Sequence, residues 1–215
     1  TTDMERVRRL AWRYRDRLSP RDQRFLLLRL GSRYPRESSY QERITDREQA
    51  VQAMPESPLA WYMLGDSYFH GGTLSDVRDR EARARKAFEQ AVQLDSLFGG
   101  PIEHLQRLAF VAGDTATQRE WTRRLLALDS TADLSRMAVW DLAAATRNTR
   151  TLETWLGGGG SAASGLEMLD VLWYSTLDSV TVANQERLLE AARSKVTTAD
   201  DRASLTYFGL ARSIN

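Results

Sequence analysis

The sequence predicts an all-α protein, built as a right-handed α-solenoid of helix–turn–helix repeats with further helices packing on its ends. Two pentads, LGSRY at 30–34 and LGDSY at 64–68, lie 34 residues apart. A second pair, QLDS at 93–96 and ALDS at 127–130, keeps the same 34-residue interval. Self-similarity at this period is typical of arrays in which each helical pair stacks on the next. Such arrays usually bind other proteins and rarely catalyse reactions.

Composition agrees with a folded domain and excludes several function classes. The 215 residues are 42% hydrophobic and 27% charged, and the net charge of +1 predicts no strong field towards nucleic acid. The sequence has no cysteine, which excludes disulfides and thiolate chemistry. Its apolar runs are far shorter than the ~20 residues that cross a bilayer. This composition favours the cytoplasm. Because the chain starts at Thr1, a processed or anchored extracytoplasmic region is also compatible.

Residues 1–19 are expected to form an Arg-rich helix that packs on the repeats. Apolar residues recur at helical spacing over positions 4–18, and Tyr14 among them is expected in the core. The arginines of this segment have two interpretations: a solvated face, or a docking surface for RNA, anionic lipid or an acidic peptide. Ser19 and Pro20 are expected to end this helix and begin the next.

Residues 20–156 are expected to contain the helical repeats. In the first pair, the opening helix includes Gly31 and Tyr34 and is closed by Pro35, since the residue before a proline disfavours helix. Gly113 and Asp114 supply a short turn later in the array. The expected helices with definite bounds are 40–54, 101–112, 117–128, 134–146 and 149–156.

The repeat pattern stops at four consecutive glycines, residues 157–160. Such a run cannot propagate a helix and has the composition of a flexible linker, which is predicted over 157–165. Residues 166–215 return to helical patterning and are expected to form a C-terminal helical cap.

The middle of the chain resembles the tetratricopeptide-repeat family. The matching residues are Trp61, Leu64, Gly65 and Tyr68 on one helix, and Ala84, Phe88, Ala91 and Asp95 on the next. Small residues lie where two helices cross closely, and aromatic residues fill the space between neighbouring units. The stretch 18–66 is also similar to helical regions of multidomain bacterial signalling proteins, which implies a bacterial context.

An insertion separates these two helices. The interval from Trp61 to Ala91 is seven residues longer than the family spacing, and the extra residues lie around 71–79. Ser75 or Asp76 is expected to cap the restarted helix. The insertion is either a tolerated surface loop or a segment that folds over the binding groove or contacts a partner.

The resemblance implies a binding groove on the inner faces of the first helices of each pair. Its mixture of aromatic, apolar and singly charged residues suits an extended or helical peptide. It lacks the Lys, Arg and Asn set with which some family members grip a chain terminus. The alternative left open is that these residues pack against the terminal helices. The implied partner-binding residues are Tyr62, Asp66, Phe69 and His70 in one unit and Glu103, Arg107 and Phe110 in the next.

The sequence carries no catalytic or metal-binding motif. His70 and His104 are its two histidines, and neither belongs to a motif such as HExxH. Both are interpreted as surface or packing residues. The chain is therefore expected to be a non-catalytic scaffold that binds a protein or peptide, without metal, cofactor or small-molecule substrate.

Two other functions stay open. The chain would serve as a permanent structural subunit of a bacterial complex, including a membrane-associated one, if its groove were stably buried. It would instead be an adaptor for nucleic acid or an anionic surface if the Arg-rich helix led the binding. In that case affinity would fall steeply with salt.

Overall fold

The computed structural model describes residues 3–71 and 77–146, together with 148, 150, 151 and 154. Over this part of the chain it contains eight α-helices and no strand, which confirms the all-α prediction. No helix among these residues is long and apolar enough to span a membrane. The chain divides into two compact units, residues 1–101 and 102–215. The helices are α1 (Asp3–Arg13), α2 (Pro20–Leu30), α3 (Tyr40–Ala53), α4 (Pro58–Gly71), α5 (Arg80–Leu94), α6 (Gly99–Val111), α7 (Thr115–Leu128) and α8 (Asp133–Ala145).

Serine caps fix the starts of α2 and α3. The backbone N–H of Asp22 donates to Ser19 Oγ at 3.1 Å, and proline occupies the first turn of α2 as predicted. At α3, Ser39 and Glu42 form a reciprocal capping box. The hydrogen bond from the Ser39 backbone, followed by that from the Arg36 side chain, lowers the pKa of Glu42 to about 2.

Two predicted helix ends are wrong. Helix α1 ends at Arg13, and residues Arg15–Arg17 form a 3₁₀ turn in place of a continuous helix to position 18. Helix α2 ends at Leu30, because Gly31 adopts φ 81° and stops it. Tyr34 therefore lies in the loop and not in the helix.

The apolar side chains of α1 are less buried than their spacing predicted. Its apolar stripe is exposed, and Tyr14, which was expected in the core, is 44% exposed. The helix contacts the following loop through Trp12, whose ring centroid lies 5.4 Å from that of Tyr34. The Tyr34 hydroxyl also donates to Glu5 Oε1 at 3.1 Å. Trp12 and Glu5, and not the aliphatic stripe, therefore make the contacts between this helix and Tyr34.

Helix α5 begins later than expected. Its first residue is Arg80, preceded by Asp79 in the left-handed conformation at φ 54°. Ser75 and Asp76 were the expected cap residues. These two residues lie in the stretch 72–76, which is outside the described residues.

The core of the first unit forms where α4 packs against α3 and α5. Ile44 of α3, Leu64 of α4 and Phe88 of α5 are all buried. The closest approach is at Gly65, where an added Cβ would lie 2.6 Å from Phe88 Cε1. A glycine is required there because no side chain fits between the helix and the ring.

The second unit contains α6 from Ile102 onwards, with α7 and α8. Helix α7 packs on α8, and Leu125 and Trp140 are buried in this unit. Gln106 Nε2 of α6 donates to the carbonyl oxygen of Ala138 in α8 at 3.3 Å. The predicted Gly113 turn is confirmed: Gly113 has φ 69°, and Asp114 caps α7.

Two predicted segments lie outside the described residues, and a third is described only in part. The expected helix at 149–156 is described at only a few positions. The linker at 157–165 and the cap at 166–215 are not described at all.

Candidate functional site on helix α4

One face of α4 is buried. The helix begins after Ser57, whose Oγ accepts a hydrogen bond from the Ala60 N–H at 3.3 Å, and Pro58 occupies its first position. The neighbouring helices α3 and α5 pack against it. The residues that this packing buries recur at helical spacing and include Ala60, Met63, Leu64, Ser67 and Tyr68.

The four predicted partner-binding residues of the first unit lie on the less buried face of α4. Tyr62, Asp66 and Phe69 are half-buried, and His70 is exposed. Their spacing places them on one side of a helix with 3.6 residues per turn. The structure therefore brings these four residues together on one surface, which we call the α4 face.

The aromatic side chains of the α4 face are held by other rings. The Tyr62 ring centroid lies 5.0 Å from that of Phe98 and 6.0 Å from that of Phe88. Phe69 meets Phe88 edge-on at 6.5 Å. Aromatic contacts of this kind restrict ring motion, so both residues offer a fixed apolar surface.

Asp66 lies between a partly buried guanidinium and an exposed imidazole. Its Oδ2 is 3.5 Å from Arg47 Nη1, and its Oδ1 is 3.6 Å from His70 Nε2. Arg47 also donates to the Met63 carbonyl oxygen at 3.0 Å and to Ser67 Oγ. Burial lowers the pKa of Arg47, and the Asp66 carboxylate opposes this effect. Asp66 is thus fixed in position by an arginine of α3.

A recess of about 240 Å³ opens beside the α4 face. Sequence analysis missed the residues that α3 contributes to it. Tyr40, Arg43 and Arg47 lie three and four residues apart, so helical spacing was the available signal. The Arg43 guanidinium lies 4.3 Å from the Tyr40 ring centroid. The residues lining the recess are Tyr40, Arg43, Arg47, Asp66, Ser67, His70 and Gly71.

A hydrogen-bonded tyrosine supports the buried side of α4. The Tyr68 hydroxyl donates to Glu48 Oε1 of α3 at 2.6 Å, and Arg83 Nη1 of α5 lies 3.8 Å from the same oxygen. Burial, followed by this hydrogen bond, raises the pKa of Tyr68 to about 12. Tyr68 therefore remains a neutral donor that links α4 to α3.

The predicted site residues of the second unit have different environments. Glu103 and Arg107 are only 3% and 5% exposed, while Phe110 is half-buried. Glu103 pairs with Arg107, and its Oε2 lies 2.7 Å from Nδ1 of the buried His104. The charged side chains of Glu103 and Arg107 are therefore not on an accessible groove surface.

Comparisons with known proteins add no family to this description. No protein-family model matches the chain, and no curated protein matches it.

Proposed function

We propose that the protein is a non-catalytic protein-recognition module. In this proposal its helices form a tetratricopeptide-like right-handed solenoid, and the α4 face binds a peptide or protein segment. Of the residues that sequence analysis assigned to the groove, Tyr62, Asp66, Phe69 and His70 are retained as the binding surface. Glu103 and Arg107 are assigned an internal role because they are buried.

The α4–α5 hairpin supports the repeat assignment. Gly65 lies against Phe88, at a distance that leaves no room for a side chain. Ala84 and Ala91 of α5 are fully buried. These are the residues on which the family resemblance rests, and their small size is what a close helix crossing requires.

The α4 face is the proposed binding surface. Two ring-supported aromatic residues, Tyr62 and Phe69, lie on the same helix face as Asp66 and His70, beside the recess. Fixed aromatic groups bordered by polar ones are typical of the residues that dominate protein–protein affinity. The recess contains two arginines, so it suits an acidic or hydrogen-bond-accepting side chain of the partner.

The test combines capture with site-specific crosslinking in the source cells. A photo-crosslinking amino acid is placed at His70, and a second protein carries it at Gln93, which is exposed on α5. We expect crosslinking to one protein from position 70 and not from position 93. The captured protein is then purified, and its affinity for the wild-type chain is measured by calorimetry.

Paired variants separate binding from folding. Phe69→Ser with His70→Glu should weaken the measured affinity at least tenfold. The matched control, Leu97→Ser with Gln93→Glu, makes the same kinds of change at two exposed positions outside the α4 face and should leave affinity unchanged. Circular dichroism establishes that both variants fold. Equal affinity for the wild type and the α4 variant would reject the α4 face as the binding surface.

One observation favours the second candidate, a permanent structural subunit. Met4, Val7 and Leu10 of α1 are 61%, 55% and 44% exposed and lie on one helical stripe. A stably bound partner would cover such a stripe. If so, the purified chain should self-associate as its concentration rises, and Val7→Gln with Leu10→Gln should prevent this in light scattering. A wild-type chain as monodisperse as the variant would count against this candidate.

A further inference from the structure

The first unit also contains a cavity that is larger than the recess and shares Arg43 and Arg47 with it. It has a volume of about 510 Å³, within the range typical of small-molecule sites. We propose that this arginine cavity binds a small phosphorylated ligand, a role that goes beyond the protein-recognition function. The residues lining it are Glu5, Arg8, Leu28, Arg29, Leu30, Gly31, Tyr34, Pro35, Arg36, Glu37, Ser38, Arg43, Asp46 and Arg47.

Arginines from three helices reach this cavity without an ion-pair partner. Arg8 comes from α1, Arg29 from α2 and Arg43 from α3. None of the three lies within ion-pair distance of a carboxylate in the part of the chain that the structure describes. Three guanidinium groups around one cavity repel each other, so an anion bound among them would be stabilised.

The carboxylates of the cavity offset these arginines only in part: after the hydrogen bond from Arg9, the charge of Arg8 also helps to lower the pKa of Glu5, but Arg8 and Glu5 form no ion pair. Glu5 Oε1 accepts hydrogen bonds from Arg9 Nε at 2.9 Å and from Tyr34 at 3.1 Å. The hydrogen bond from Arg9 is the main reason that the pKa of Glu5 is lowered. Asp46 Oδ2 accepts the Ser32 N–H at 2.9 Å. Arg36 pairs with Glu42 and Arg47 with Asp66, so two of the five arginines are also neutralised. Three arginines then lie beside two carboxylates without an ion pair among the described residues, which leaves the cavity slightly positive.

A buried hydroxyl in the cavity wall supplies an independent observation. Ser38 Oγ is inaccessible to solvent and has no hydrogen-bond partner among the described residues. Gly31 allows this close packing, since a Cβ there would lie 2.8 Å from Ser38 Oγ. A buried polar group without a partner costs free energy, and rotation of the Ser38 side chain towards the cavity would let its hydroxyl meet a ligand oxygen.

The guanidinium groups of the arginine cavity suit a phosphate ligand better than a ligand with a single carboxylate. Guanidinium groups bind phosphate with paired N–H···O hydrogen bonds, and a tetrahedral anion presents oxygens in several directions. A carboxylate presents only two oxygens in one plane. Leu28, Leu30 and Pro35 add an apolar part to the wall, where the organic portion of a ligand would lie.

Calorimetric titration of the full chain with inorganic pyrophosphate at low salt tests the proposal. The double variant Arg8→Gln with Arg29→Gln removes two of the arginines that lack ion pairs. The control, Arg13→Gln with Arg119→Gln, removes the same charge at two exposed positions that do not line the cavity. We expect saturable binding by the wild type and the control, and at least tenfold weaker binding by the Arg8/Arg29 variant.

Three results would overturn the proposal. The first is the absence of saturable binding of millimolar pyrophosphate by the wild type. The second is an equal loss of affinity in the control variant, which would mean that only net charge matters. The third is binding to vesicles of an anionic phospholipid without binding of pyrophosphate, since that result would assign the arginines to a membrane surface.

Discussion

Helices α4 and α6 are predicted to be equivalent first helices of successive repeats, yet their surroundings differ. Helix α4 buries one face and leaves Tyr62, Asp66, Phe69 and His70 half-buried or exposed. In α6, every residue from 101 to 109 is buried. The comparison shows that two helices expected to be equivalent from the sequence differ in how much of their surface meets solvent.

The charged side chains of the two helices also differ in their exposure to water. In α4, Asp66 is one-third exposed and keeps part of its hydration. In α6, Glu103, His104 and Arg107 are withdrawn from water and contact one another. Removing a charged group from water costs several kcal/mol, so a buried set is stable only while its charges remain paired.

The largest expected effect comes from breaking the buried set. Glu103→Leu removes a buried carboxylate that contacts both Arg107 and His104, and we expect a loss of about 3–5 kcal/mol in the free energy of unfolding. Asp66→Leu in α4 removes a carboxylate that is partly solvated, and we expect a loss of about 1 kcal/mol. Urea denaturation of both variants measures the difference. Equal losses would mean that burial does not distinguish the two helices energetically.

An intermediate effect is expected from glycine substitution. In Gly65→Ala, the new Cβ would lie 2.6 Å from the ring of Phe88, which is fully buried and cannot move aside. Overpacking of this kind costs about 1–3 kcal/mol and outweighs the gain of about 1 kcal/mol from replacing glycine in a helix.

Gly100 of α6 provides the matched comparison. A Cβ there would lie 3.2 Å from the half-buried ring of Tyr62, a contact that a displacement of only a few tenths of an ångström would relieve. We therefore expect Gly100→Ala to change stability little. Thermal unfolding of both variants tests this, and an unchanged midpoint for Gly65→Ala would show that the α4–α5 crossing tolerates a side chain.

The smallest effect is expected from Tyr68, whose phenol is a neutral hydrogen-bond donor on the buried side of α4. The phenol of Tyr68 keeps its proton to about pH 12 in the folded chain but loses it near pH 10 when unfolded. The stability linked to this difference is fully present below about pH 10 and is lost as the pH approaches 12. Tyr68→Phe removes this dependence and a hydrogen bond worth about 1 kcal/mol.

Urea midpoints of the wild type and Tyr68→Phe, measured over this alkaline range, provide the test. The wild type should be the more stable protein at neutral pH, and its advantage should shrink as the phenol ionises. An advantage that stayed constant with pH would contradict the raised pKa of Tyr68.

Local chemistry allowed much of the helical pattern to be predicted from sequence. Ser19 and Pro20 begin α2, α3 begins at Tyr40, and Gly113 forms a turn, as expected, because such signals act through the backbone and nearest neighbours. The start of α5 was missed because Asp79 adopts a left-handed conformation that its residue type does not require.

Burial was harder to predict because it depends on distant parts of the chain. The apolar stripe of α1 suggested a packed face, but Trp12 and Glu5 make the observed contacts. Glu103 and Arg107 suggested a groove, but they are buried. The four α4 residues, which the family resemblance implied, share one face because a single helix sets their spacing. Arg43 and Arg47 were missed because their role arises only when α3 packs beside α4.

Arg43 and Arg47 line both the recess beside the α4 face and the arginine cavity. The two compartments therefore share a wall, and an occupant of one changes the electrostatic field within the other. If a phosphorylated ligand alters the affinity for a partner on α4, thermodynamic reciprocity requires that the partner alter the affinity for the ligand by the same factor. Helix α3 would then connect a chemical signal to an assembly event.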